Sequence, residues 1–259
     1  MTTVYGKLNN LLTAANATTG ESDTTLTDAV QTLIDGYGQG GGGWSSEGIA
    51  NRTEPYGEIT LDSTVTSIRS YAFYQRPITR IYAPEVNTII DGACAQSGLT
   101  RIEPTDMPKL MAMTGGFESC ASLTYIKLTG VVTSYSYAFR WCGNLEEAYF
   151  PNATANIDRT CHGCSKLRIM DCGKSNITNS TSFNNCTALR TLIMRKTSGV
   201  QTIAAWSASC MGGIYNNPTE STIYVPSALI SSYQTASNWS SAYAAGVTFA
   251  AIEGSQYEL

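Results

Sequence analysis

A three-column frame with a step of 22 residues runs through the middle of the chain. Phe117, Cys120 and Leu123 recur as Phe139, Cys142 and Leu145, then as Cys161, Cys164 and Leu167, and again as Phe183, Cys186 and Leu189. A fixed apolar skeleton at such a period is the signature of a solenoid, in which each coil buries its apolar face only against its neighbours. A solenoid grows along one axis, so the 259 residues need no single core of matching breadth. The frame reaches further in both directions. Upstream, Val65–Ile68, Ala72 and Phe73 lead to Ile78 and Ile81, and Ile89 and Cys94 lead to Leu99 and Ile102. From Phe73 to Phe183 is 110 residues, five periods, so local irregularities cancel. Downstream, Val200–Ile203 repeats the entry signal, and Trp206 with Cys210 loosely occupies the next coil.

Past each Leu slot the pattern changes to alternation. Apolar residues stand three and five positions on: Ile126 and Leu128, Ala148 and Phe150, Met170 and Cys172, Leu192 and Met194. Period two over five or six residues predicts a short strand with one buried face. One strand per coil, stacked in parallel, makes a continuous sheet. The second and fourth residues after each slot then stand on its outer face. They are Arg80 and Tyr82, Arg101 and Glu103, Tyr125 and Lys127, and Glu147 and Tyr149; Ile169 with Asp171 and Thr191 with Ile193 continue the two columns. Tyrosine among Arg, Glu and Lys suits recognition, because it joins rigid area to a hydrogen-bonding tip. A plain solvated sheet face accounts for the same residues.

The flanks read differently. Residues 1–38 hold two helical patterns: Leu8, Leu11, Leu12 and Ala15, then Leu26, Ala29, Val30, Leu33 and Ile34 behind a capping box at Thr25 and Asp28. Two helices of this size bury too little to fold alone, so they are expected to self-associate, a trimer being one solution, or to dock elsewhere. Residues 39–57, with Gly40 to Gly43, form a tether and entry, and residues 58–222 the repeat region. Residues 223–259 are expected to close the open end: a strand at Ile223–Val225 stopped by Pro226, and a helix capped by Ser227 carrying Leu229, Ile230, Tyr233, Ala236 and Trp239. Val247, Phe249 and Ile252 add a terminal strand. Charged residues are only 14% and the net charge is −4, which argues against a nucleic-acid partner. No apolar run approaches a bilayer span, so membrane insertion is not expected. Met1–Tyr5 carries no basic stretch followed by an apolar one, so no secretory signal is visible and the chain is expected to stay inside or leave within a particle.

The repeats, with Ala72-Phe73 and Ala138-Phe139 and the Cys-x-x-Leu-x-x-Ile frame, resemble the BspA-type leucine-rich repeats. The segment Thr19–Gly38 is similar to one found in tail and minor structural proteins of phages and prophages of gut bacteria. Ile223–Pro226 with Tyr233, Gln234 and Trp239 resembles the closing segment of such repeats in phage-encoded proteins. The resemblance implies a mixed α/β solenoid with a parallel sheet, preceded by a short helical module and closed by a C-terminal cap. It also implies a virion protein, made in the bacterial cytoplasm. Such a protein would bind a bacterial cell-surface glycan or protein and join other virion proteins through residues 1–38.

The chemistry-bearing residues point away from catalysis. Of eight cysteines, Cys120, Cys142, Cys164 and Cys186 form one column, Cys94 and Cys161 replace Phe, and Cys172 sits at a buried strand position. Small buried thiols explain every slot but that of Cys210. Cys161-His162-Gly163-Cys164 has no second Cys/His pair at zinc spacing, so no metal and no cofactor is expected. His162, the one histidine, falls on a turn and is expected to be solvated. Glu147 and Asp171 are the nearest approach to the carboxylate pair of a glycan hydrolase, and a charged binding face explains them equally well. Two functions stand first: host recognition through the sheet face, and structural decoration of a particle. A hydrolase stands a distant third.

Overall fold

The computed structural model describes residues 57–130 and 132–259. The helical patterns of residues 1–38 and nearly all of the glycine tether lie outside them.

The repeat becomes two parallel ladders. Strands β1 (Glu58–Thr60), β2 (Ser67–Ile68), β3 (Arg80–Tyr82) and β4 (Thr88–Ile89) open the fold, β1 pairing with β3 and β2 with β4. They are followed by β5 (Arg101–Ile102), β6 (Tyr125–Lys127), β7 (Glu147–Tyr149), β8 (Ile169–Asp171) and β9 (Thr191–Ile193). With β10 (Thr222–Val225) and β11 (Thr248–Ala251), β5 to β9 form a seven-stranded sheet in sequence order, every neighbouring pair parallel. The Thr100 amide reaches the Thr79 carbonyl at 3.1 Å, linking β3 to β5. Pairing keeps the repeat register: Ile126 faces Ala148, Ala148 faces Met170, and Met170 faces Leu192.

One strand per coil was the expectation, and the structure has a second extended segment in each. The β2–β4 pairing continues as single bridges, Thr88 to Ala112, Ala112 to Ser134, Ile157 to Ile177 and Ile177 to Ile203. These are the entry signals of the sequence. At one or two residues they are too short to display alternation, which is why only the longer ladder was legible.

Between the two ladders each coil turns through a pair of left-handed residues. Tyr71, Gly92, Gly115, Tyr137 and Arg159 form one column of positive φ, and Gln75, Gln96, Ser119, Trp141, Gly163 and Asn185 the other. Left-handed backbone is disfavoured for side chains of this bulk, and here it is fixed by coil-to-coil hydrogen bonds. The amides of Tyr137, Phe139 and Trp141 donate to the carbonyls of Asp158, Thr160 and His162 at 3.2, 2.9 and 2.7 Å. Gly163 is required twice over: its φ is 83°, and a Cβ would lie 2.2 Å from the Trp141 ring.

Inside, the columns do what their spacing asks. The Phe, Cys and Leu slots are fully buried, with Phe117 stacked on Phe139 at 5.5 Å and Phe139 on Phe150 at 5.7 Å. All eight cysteines are free and buried. The Cys column is more than small apolar filler. The Cys142 thiol donates to the Phe117 carbonyl at 3.1 Å, Cys164 to Phe139 at 3.0 Å, and Cys186 to Cys161 at 2.9 Å. Each of those carbonyls also accepts a turn amide from its own coil, so the thiol fills the second lone pair.

Burial pushes the thiols of Cys94, Cys142, Cys164, Cys172 and Cys186 well above their ordinary value of 9.0. A folded-state pKa raised above the unfolded one holds the proton, so this contribution is complete below about pH 9 and is lost as pH climbs toward the folded value. The melting temperature is therefore expected to be level from about pH 6 to 8 and to fall above about pH 9. Ellman's reagent should find no reactive thiol at neutral pH until the chain is denatured.

The C-terminal segment holds two short helices where one was expected. Helices α1 (Ala208–Met211) and α2 (Gly213–Asn216) precede β10; α3 (Ile230–Thr235) and α4 (Trp239–Ala244) follow it. Ala236 is extended and Asn238 left-handed, with the Asn238 side-chain amide donating to the Ile203 carbonyl at 3.0 Å. Breaking the helix there lets both Tyr233 and Trp239 turn inward. Their tips converge on buried Gln201: its backbone amide donates to the Tyr233 hydroxyl at 3.0 Å, and the Trp239 indole donates to its backbone carbonyl at 2.6 Å.

Candidate binding face

The long ladder sets side chains of alternate residues on its outer face. Tyr125 lies opposite Glu147, and Lys127 opposite Tyr149. The Tyr125 and Tyr149 rings are 5.9 Å apart and inclined by 49°. Around them charges are paired across and along strands. The Arg101 guanidinium lies 4.2 Å from the centre of the Tyr125 ring and is ion-paired with Glu103. The Tyr149 hydroxyl donates to Glu147 at 3.0 Å, and Arg168 reaches Glu146 at 3.0 Å and Glu147 at 3.1 Å. Burial, then the hydrogen bond to the Glu147 carboxylate, pushes the Tyr149 hydroxyl far up; burial, with Glu103 nearby, also raises that of Tyr125. Both phenols are therefore neutral donors at physiological pH.

The sequence-derived residues fall into three groups. Arg80 and Tyr82 belong to the first coils and are engaged locally, Arg80 with buried Asp106 at 2.9 Å and Tyr82 with Glu58 at 3.2 Å. Arg101, Tyr125 and Glu147 line a shallow hollow of about 400 Å³ with Thr124 and Glu146. Tyr125, Lys127, Glu147, Tyr149 and Asp171 line an open groove of about 510 Å³, bounded on its far side by Gln256, Tyr257, Glu258 and Leu259.

Asp171 corrects the expectation of an outward, solvated carboxylate. It stands in the outer column yet is only 1% exposed, in a 2.8 Å ion pair with Arg195, itself 9% exposed. Burial raises its carboxyl pKa, while Arg195 and the Gly173 amide pull the other way. The cause is residues 252–257, which fold back over β8 to β10. Tyr257 and Ile252 pack with Ile193, with Tyr149, Ile169 and Tyr224 around them, and Arg195 donates to the Tyr257 carbonyl at 2.8 Å. Ile193, the last member of the expected outer column, is buried with them. Glu147 faces Ile169 and Asp171 faces Tyr149, so the two carboxylates are diagonal and each is spent on an arginine.

Arg168, Arg195 and Tyr257 are the groove residues that period-two reading missed. Arg168 immediately follows a Leu slot, outside the two outer columns, and Arg195 and Tyr257 reach the face only through the fold of the C-terminal segment. On the turn side, His162 is half-buried, its ring edge-on to Trp141 at 4.9 Å. It was expected in solvent. Among the described residues no group of three His, Cys, Asp or Glu is placed to hold a metal ion, and no helix is long and apolar enough to cross a membrane.

Parallel ladders, a 22-residue coil and a face of paired side chains define a leucine-rich repeat protein, a class built to present an extended binding surface. A family model, the BspA type leucine rich repeat region, matches six copies over residues 51–110 and 113–207, and the chain belongs to this family. No curated protein matches the chain. Leucine-rich repeats suggest protein–protein interaction or adhesion, and the family is generally non-catalytic.

Proposed function

We propose that this chain is a virion-associated adhesin of a bacterial phage. In this reading the outer sheet face between β6 and β8 binds a bacterial cell-surface molecule. Residues 1–38 join the particle, residues 58–222 form the recognition solenoid, and residues 223–259 cap it. One observation carries the reading: two half-buried tyrosines, 5.9 Å apart on paired strands, open onto a groove of about 510 Å³ amid charges already held in place. Side chains fixed by packing and ion pairs lose little entropy when a ligand arrives, which favours affinity from a modest contact area. Particle attachment rests on the resemblance of Thr19–Gly38 to segments of phage structural proteins.

Labelled full-length chain is expected to bind some strains of a panel of gut bacteria and not others. Replacing both tyrosines, Tyr125→Ala with Tyr149→Ala, should reduce that binding about thirtyfold or more, since even one aromatic anchor at a binding centre is worth about 2 kcal/mol or more. Unchanged binding by the folded double variant contradicts the assignment. If no strain is bound and the variant instead fails to enter particles, the face serves assembly.

A further inference from the structure

Charge pairing inside the groove narrows the chemistry of what it takes. Glu147 is held by Arg168 and by the Tyr149 hydroxyl. Asp171 is held by Arg195, and Glu258 accepts the Gly254 amide at 2.8 Å. Arg168 divides itself between Glu146 and Glu147. Lys127 is the exception. It makes no ion pair among the described residues, and its ammonium stands 5.9 Å from the centre of the Tyr149 ring, on the lining of the groove. An entering anion meets an ammonium that has no ion pair among the described residues. Of the groove's carboxylates, Glu147 and Asp171 are spent on arginines, and Glu258, at the far side, is held there by the Gly254 amide alone.

Beside that cation the floor is aromatic, from Tyr125 and Tyr149. The two rings are inclined by 49° and carry hydroxyl tips, with Arg101 over that of Tyr125, so they offer apolar carbon beside hydrogen-bonding groups. This suits a ligand apolar on its faces and polar at its rim, as a pyranose is. A peptide fits less well. Strand addition needs a free sheet edge, and β6, β7 and β8 each have partners on both sides. An apolar side-chain anchor needs a greasy pocket, and only Pro151, Ile169 and Leu259 of the lining are aliphatic.

Resting on the recognition reading above, we propose that the groove binds a carboxylate-bearing sugar, a uronic or sialic acid unit of a surface glycan. The sugar ring packs against Tyr149 with its rim toward Tyr125, and its carboxylate meets the Lys127 ammonium.

Calorimetric titration of the full chain with sialyllactose and with oligogalacturonide, beside lactose and methyl-esterified oligogalacturonide, tests this. At least one acid is expected to bind about tenfold tighter than its neutral counterpart, the size of one charge-assisted contact in a partly desolvated site. Lys127→Gln should erase that preference while leaving the melting temperature unchanged, and added salt should weaken the acid selectively. Equal affinity for acid and neutral sugars overturns the proposal, as does a preference that survives Lys127→Gln. If the chain binds cells through Tyr125 and Tyr149 but takes neither acid, the sugar class is wrong and the recognition reading stands. Cell binding abolished by protease treatment of the cells, without acid-sugar binding, assigns the groove to a protein instead. No binding to cells or to either acid sinks both.

Discussion

Asp171→Ala is expected to lower the unfolding free energy by about 3–5 kcal/mol, the cost of leaving one partner of a buried ion pair uncompensated. The stranded partner is Arg195, which also holds the Tyr257 carbonyl, so the loss spreads to residues 252–257 where they cover β8 to β10. Urea unfolding measures the loss, and limited proteolysis should cleave near Tyr257 sooner than in the parent chain. The double variant Asp171→Leu with Arg195→Met is expected to recover most of the stability, because apolar replacements of both partners remove the burial cost of both charges. A single variant within about 1 kcal/mol of the parent would show that this ion pair is solvated and that the C-terminal segment is held by other contacts.

The second large effect lies at the centre of the stack. Phe139 is fully buried between Phe117 and Phe150, and Phe139→Ala is expected to cost about 3–5 kcal/mol, part transfer and part cavity. In a repeat array stability is close to a sum of coil and neighbour terms, so a hole at one interface also weakens coupling between the halves on either side. Denaturant unfolding should broaden or split into two steps, where the parent gives one. A loss under about 1 kcal/mol with an unbroken transition would mean that the neighbouring coils collapse onto the space.

These two residues also show what the sequence made legible. Phe139 sits in a column that repeats by residue type and spacing, so its burial follows from periodicity alone. The strand faces were readable for the same reason, since alternation survives in runs such as Tyr125 to Lys127. Asp171 occupies an outer-column position by that rule, and its cover comes from Tyr257, held by Arg195, the ion-pair partner of Asp171, from 62 residues away in the chain. No local pattern records such a contact. The left-handed columns were invisible for a different reason: Tyr, Gln, Ser, Trp, Arg, Asn and Gly share them, so backbone geometry repeats where residue type does not. The thiol ladder lies between these cases. Its positions were plain, but only the inter-coil approach of each sulfur to a carbonyl, such as Cys164 to Phe139, shows that the column is chosen for a donor as well as for size.

The claim that recognition belongs to the sheet face competes most directly with the turn side, where Trp141 is 47% exposed beside His162. The deciding measurement compares two folded double variants of the full chain for binding to a strain the parent binds. One is Tyr125→Ala with Tyr149→Ala; the other is Tyr137→Ala with Trp141→Ala. Binding lost in the first and kept in the second is the expected result. Binding kept in the first and lost in the second would move the site to the turn side and contradict the account.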